Sequence, residues 1–138
     1  MSLELHVFIR AGEMPARDSW QAKIRELGFP VELDPEMKVG SDEGFSPCTV
    51  KGQASGFEIS FESSKELLDD YPNIRTSVRD RDACITFRWG GDMLECACVM
   101  AATAALAGLC DAVSYYPDDD ILYSPHELVT EANTCLDA

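Results

Sequence analysis

The sequence predicts an α+β domain, a mixed or mainly antiparallel sheet packed by helices. Three observations lead there. Residues 3–10 and 56–63 alternate apolar and polar side chains with a period of two, the mark of half-buried strands. Short Gly- or Asp-rich turns join several strand-like runs, which argues against a purely parallel sheet. The stretch Met93–Cys110 is apolar almost all round, and such a helix must be covered on more than one side. A chain of 138 residues is the size of one domain, so residues 1–138 are read as a single globular unit.

In chain order, Leu3, Leu5, Val7 and Ile9 give the first strand one apolar face. Ala16, Trp20, Ile24 and Leu27 then form a helical stripe, stopped by Gly28 and Pro30. Val31 and Leu33 suggest a short strand, and residues 34–47 read as a loop. Residues 48–51 and 56–63 read as strands around the turn KGQASG. Ser63 and Glu66 have capping-box spacing and open a short helix with Leu67, Leu68 and Tyr71, ended by Pro72. Residues 73–82 are polar and read as an irregular edge. Residues 83–89 form a strand whose Ile85, Phe87 and Trp89 share a face. After Gly90 and Gly91, Asp92 is expected to cap the apolar helix, with Glu95 three residues on. Residues 112–116 and 121–123 make a hairpin around Pro117-Asp118-Asp119-Asp120. Ser124 caps the last helix, with Pro125 at its first position and Glu127 at its third.

The net charge is −14 and unevenly distributed. All 11 Lys and Arg lie between Arg10 and Arg88, whereas Trp89 to Ala138 hold nine acids and neither Lys nor Arg. Such a surface repels a phosphate backbone and anionic lipid, so neither nucleic acid nor membrane is expected as a partner. A basic protein would be attracted and steered. The apolar 93–110 stretch contains Glu95, Thr103 and Gly108 and is built mostly of Ala and Cys, so it reads as a core helix, not a membrane span.

Six cysteines occur, at positions 48, 84, 96, 98, 110 and 135. The opening MSLELHVFIR lacks a basic n-region and an apolar h-region, and most cysteines sit in apolar runs. The expectation is a cytoplasmic protein with all six thiols reduced. Cys48, in SPCTV, is the thiol expected to be exposed and reactive. Cys96 and Cys98 are two apart on a helix and point away from each other, so zinc chelation by that pair fails.

No catalytic residue, cofactor or metal is assigned. Asp118-Asp119-Asp120 lacks the alternation and the central Gly of a calcium loop. Gly90-Gly91-Asp92 lacks GxGxxG and places an aspartate where a phosphate would sit. If the acidic hairpin is a docking face for a basic partner, the residues that carry it are Asp118, Asp119 and Asp120, with Tyr115, Tyr116 and Tyr123 as anchors. The rival reading is a small enzyme or ligand-binding domain with a site assembled from His6, Arg10, Arg88 and Trp89. A homodimer is a further alternative.

The stretch ITFRWGGDMLECACVMAATAALAGLCDAVSYYPDDDILYS, residues 85–124, resembles the C-terminal half of small bacterial proteins in which a strand, a Gly-Gly turn, an Ala-rich helix and an acidic hairpin follow in order. Some proteins of this size and acidity are immunity-type. The −14 charge, the acid-only last 50 residues and the missing catalytic signature point to a non-enzymatic, acidic protein-interaction role, of immunity or accessory type; the resemblance adds to that reading and transfers no catalytic motif.

Overall fold

A computed structural model describes residues 2–138. The elements are β1 (Leu3–Ile9), α1 (Arg17–Glu26), β2 (Val31–Leu33), β3 (Gly44–Val50), β4 (Gln53–Ser63), α2 (Ser64–Asp70), α3 (Arg75–Val78), β5 (Ala83–Trp89), α4 (Met93–Cys110), β6 (Val113–Tyr116), β7 (Ile121–Tyr123) and α5 (Pro125–Leu136). Single 3₁₀ turns follow β1 and α2 and join β6 to β7. The strands form one sheet in the order β2-β3-β4-β5-β1-β6-β7. Every neighbouring pair is antiparallel. The expected α+β fold is therefore present in its antiparallel form. Because β5 and β6 both run against β1, they run parallel to each other, and α4 makes the crossover between them.

Helix α4 organises the inner face of the sheet. Ala97, Val99, Ala101, Ala102, Ala105 and Leu106 are completely buried. They pack with Leu5, Val7, Ile9, Phe57, Ile85 and Phe87 from the strands. Helices α1 and α5 pack on α4. Trp20 of α1 donates its indole N–H to the Ala102 carbonyl at 2.9 Å, which orients a buried ring that would otherwise leave a donor unpaired.

The outer face is covered only at one end. There α2, α3 and the turn between them lay Leu68, Ile74 and Val78 over Phe8, Cys84 and Tyr115. This segment includes residues expected to be irregular. The structure adds a helical turn at Arg75–Val78, too short to show a period.

Three local expectations change. Strand β3 begins at Gly44, not residue 48, and β4 at Gln53, with only Lys51 and Gly52 between them. Pro47 enters the strand opposite Gly56. Asp92 occupies the position before α4, but its side chain makes no capping hydrogen bond. Ser124, by contrast, closes a full capping box with Glu127.

The edge strand β2 is closed by side chains. Gln21 donates its amide to the Val31 carbonyl at 2.9 Å and accepts from the Leu33 N–H at 2.6 Å. Arg17 donates to the carbonyls of Leu33 and Asp34 at 2.7 and 3.0 Å. Backbone groups that would face solvent are thereby satisfied, which blunts the edge against pairing with another chain.

The Ala-rich helix carries a direct test. Ala102 is fully buried, so Ala102→Glu would place an unpaired carboxylate in the core, at a cost of about 3–5 kcal/mol. The expected outcome is an unfolded or aggregated variant by circular dichroism. A soluble variant with the wild-type melting temperature would refute the packing.

Candidate functional site on the open face of the sheet

Strand register sets up three rows across the uncovered outer face. Glu58, Arg88 and Glu4 stand side by side on β4, β5 and β1. Ser60, Thr86, His6 and Tyr115 form the next row. Glu62, Cys84 and Phe8 form the third. Alternation along each strand puts these residues on one face and their apolar neighbours on the other.

Arg88 Nε donates to Glu4 Oε1 at 2.8 Å. That hydrogen bond, with Glu62 and Glu58 nearby, holds the guanidinium pKa above its ordinary value. Thr86 Oγ1 donates to Glu62 Oε1 at 3.3 Å. His6 Nδ1 and Thr86 Oγ1 share a hydrogen bond at 2.9 Å. His6 Nε2 is buried 3.5 Å from Glu4 Oε2, with no hydrogen-bond partner among the described residues. Burial pushes the imidazole pKa below its ordinary 6.5 and outweighs the opposing pull of Glu4.

A carboxylate, an imidazole and a hydroxyl in sequence have the composition of an activated nucleophile. Here Thr86 is completely buried, and the Tyr71 ring packs 5.8 Å from the His6 ring. A substrate cannot reach the hydroxyl, so the chain of contacts orients side chains inside the fold.

Beside these rows opens a cleft of about 410 Å³, lined by Asp42, Glu43, Glu58, Ser60, Glu62 and Arg88. With Ser41 it has seven polar side chains, of which four are carboxylates, and its one cation is already engaged by Glu4. Further along the face, burial first and the charges of Glu4, Asp70 and Asp118 next raise the Tyr71 hydroxyl pKa.

The residues singled out from sequence are distributed as follows. Asp118, Asp119 and Asp120 are exposed at the hairpin turn. Asp120 also accepts from the Tyr115 hydroxyl at 2.7 Å and from Asn73 at 3.1 Å. Tyr115 is buried on the outer-face side against Tyr71, with ring centroids 5.2 Å apart. Tyr116 is half-buried between Trp89 and Tyr123, at 6.5 and 6.3 Å. Tyr115 is therefore packed into the domain, while Tyr116 and Tyr123 are half-buried beside the hairpin. Burial, with Glu131 next, pushes the Tyr123 hydroxyl up to about 12.

Of the rival set, only His6 and Arg88 come together. Trp89 is buried on the opposite face, as the period of two requires. Arg10 lies beyond the far end of β1, where it pairs with both oxygens of Asp80 at 3.1 and 3.0 Å. Glu4, Glu58, Glu62 and Thr86 were not distinguished in sequence. Their alternation was visible, but cross-strand register was not.

The cysteines require two corrections. The structure pairs Cys96 with Cys135, joining α4 to α5 with Cα atoms 6.1 Å apart, so not all six are free thiols. Residues 39 apart in sequence meet because α5 packs along α4, a contact no local pattern reports. Cys48 is buried, not exposed, and its thiol donates to the Thr49 carbonyl at 3.9 Å. The neighbouring Cys98 and burial raise the Cys48 pKa, whereas Cys48 draws that of Cys98 down against burial. Desolvation pushes Cys84 up to about 12 and Cys110 up to about 11. Among the described residues, no three His, Cys, Asp or Glu side chains gather as an ion site. Helix α4 is long and apolar enough to cross a membrane, but 67% of it is buried inside the domain.

No protein family, curated protein or solved structure matches the chain.

Two predictions arise from this geometry. A histidine whose folded pKa lies below its unfolded value of 6.5 contributes stability that is complete above that pH. The unfolded state binds the extra proton as pH falls, so stability declines below about 6.5. Urea midpoints at pH 7.5 and 5.5 should diverge more in the wild type than in His6→Gln; equal divergence would exclude His6 as the cause. Separately, the Cys96–Cys135 bond closes a loop of about 40 residues, for which chain entropy gives about 4 kcal/mol. Reductant should lower the melting temperature of the wild type and not of Cys96→Ser/Cys135→Ser. Intact mass after alkylation should show one bridge, and six alkylated thiols in unreduced protein would disprove it.

Proposed function

We propose that the chain is a non-enzymatic, acidic protein-interaction module, of immunity or accessory type, that engages a basic protein partner through the open face of its sheet. The observation that carries this reading is the carboxylate-lined cleft, where Asp42, Glu43, Glu58 and Glu62 surround a single cation already paired with Glu4. A Lys or Arg side chain from a partner is the group such a cleft complements. The overall charge of −14 adds long-range attraction for a basic surface. It also disfavours a homodimer through this face, because a second copy brings the same acids. Asp118 and Asp119 extend the field at the hairpin as rim charges, with the tyrosines as scaffold beneath. The proposed compartment is the cytoplasm, where the four buried free thiols stay reduced and the Cys96–Cys135 pair is the one site open to the redox poise.

One observation favours a second reading, a ligand-binding domain: His6 Nε2 is buried without a hydrogen-bond partner among the described residues. A ligand group that hydrogen-bonded this nitrogen would satisfy it.

The test begins with affinity capture from the native host at low salt and identification of the bound protein. Association should slow as salt rises, since exposed charges are screened over about 8 Å at physiological ionic strength. Glu58→Gln/Glu62→Gln should slow association by about tenfold, and the Asp118, Asp119 and Asp120 to Asn triple variant by less, with dissociation little changed in both. A partner whose association ignores both salt and these variants would reduce the acidity to a matter of solubility.

A further inference from the structure

Away from the carboxylate rows, toward β2 and β3, the same open face turns apolar. Phe45 is 65% exposed, more than any other large hydrophobic side chain described. Its ring is not loose. It lies across Gly56 of β4, where an added Cβ would come 2.5 Å from Phe45 Cζ and 2.5 Å from the Ser46 carbonyl oxygen. Gly56 is thus the slot on which the aromatic ring rests, and exposure is imposed by the backbone beneath it.

Two hollows meet beside this ring. One, of about 450 Å³, is lined by Phe45, Pro47, Ala54 and Gly56, with Asp92 and Glu95 at its end. The other, of about 540 Å³, shares Pro47 and Ala54 and ends at Glu32, Asp34 and Pro35. Together they run as one trough across β3 and β4, with an apolar floor, Asp92 and Glu95 at one end and Asp34 beside the Arg25–Glu32 pair at the other. Arg17 and Arg25 also line that second end, and both are engaged within the chain. Arg25 donates to both oxygens of Glu32 at 3.2 and 2.7 Å, and Arg17 to the backbone carbonyls closing β2. Glu58, directly opposite Phe45 in the β3–β4 register, links the trough to the acidic rows.

We propose that this trough seats an extended basic segment of the partner, with an aliphatic side chain against Phe45 and Pro47 and its Lys or Arg side chains on Asp92 and Glu95 at one end and on Asp34 at the other. The inference rests on the basic-partner reading above and adds the site and the sequence chemistry it selects. An apolar centre with a charged rim is the anatomy of a recognition surface. The charge of the rim chooses the occupant. A second copy of this chain, a nucleic acid or an anionic lipid would set negative charge against negative charge. The occupant lies on the face and does not lengthen the sheet, because Gln21 and Arg17 already fill the outward backbone groups of β2.

The experiment uses three synthetic, capped dodecapeptides: Lys-Leu-Ser repeated four times, the same with Ser for every Leu, and the first with Glu for every Lys. Each is titrated into isotopically labelled full-length protein at low salt and followed by amide chemical shifts. The Lys-Leu-Ser peptide should shift Phe45, Ala54, Gly56 and Glu58 and bind at least about tenfold more tightly than its Leu-free counterpart, the difference one buried leucine supplies. Phe45→Ser, at a position too exposed to be needed for folding, should remove that advantage and leave the Leu-free peptide unaffected. Ala54→Lys should weaken both basic peptides. If both basic peptides bind equally, or if Phe45→Ser changes neither, the trough is overturned while the basic-partner reading stands. If neither basic peptide binds, or the Glu peptide binds best, both fall.

Discussion

Everything in this domain is arranged around the burial of α4. Twelve of its 18 residues are buried, and they are spread around the whole circumference. A helix of this kind has no side to offer to water, so it must be enclosed by a sheet and by other helices. Its alanines allow neighbouring backbones to approach closely. The sheet lies beneath it, α1 and α5 flank it, and the Trp20 indole is tied to its Ala102 carbonyl. All three long helices are thereby drawn to one face. Only the short α2–α3 segment remains for the other, and it covers one end. The open face is thus a consequence of how the core had to be built.

That face is where polar chemistry collects, because side chains alternate and the apolar half of each strand is committed to α4. Glu4, Glu58 and Glu62 gather around Arg88, whose guanidinium is flanked by a glutamate on each adjacent strand. Exposure matters here. In water the mutual repulsion of these carboxylates is modest and salt-screened, so the surface tolerates it. A partner that excluded water while bringing positive charge would turn the same arrangement into attraction. Deeper in the row, His6 and Thr86 show the other regime, where burial holds the imidazole neutral and each polar atom depends on a specific neighbour.

The two acidic features of the molecule differ in how they are supported. The hairpin aspartates stand on a scaffold, since Tyr115 and Asn73 both donate to Asp120 and so fix the turn. The apolar centre of the β3–β4 trough, between its acids, stands on backbone, since Phe45 is held up by the absence of a side chain at Gly56. In both cases a charged or aromatic group is displayed by something buried next to it.

Much of this was legible in the residues. The period of two in LELHVFI and GFEISFES assigns strands and faces, the stripe Ala16, Trp20, Ile24, Leu27 assigns a helix, and Ser124-Pro125 with Glu127 announces the last one. The apolar 93–110 run required a buried helix, and that requirement came from composition alone. Local patterns stop at contacts between distant segments. They could show that Glu4, Glu58 and Arg88 face away from the core, but only the register of β1, β5 and β4 places them in one row. They could present Tyr115 as a surface anchor, but only the packing of residues 64–78 buries it. Cys96 and Cys135 meet through the docking of α5 on α4, and Cys48 is hidden because β3 begins four residues earlier than its breakers suggest. Sequence by itself determined which groups each element turns inward or outward, since periodicity is a property of the chain. Tertiary structure decided which outward groups become neighbours, since that depends on how separate elements are brought together around α4.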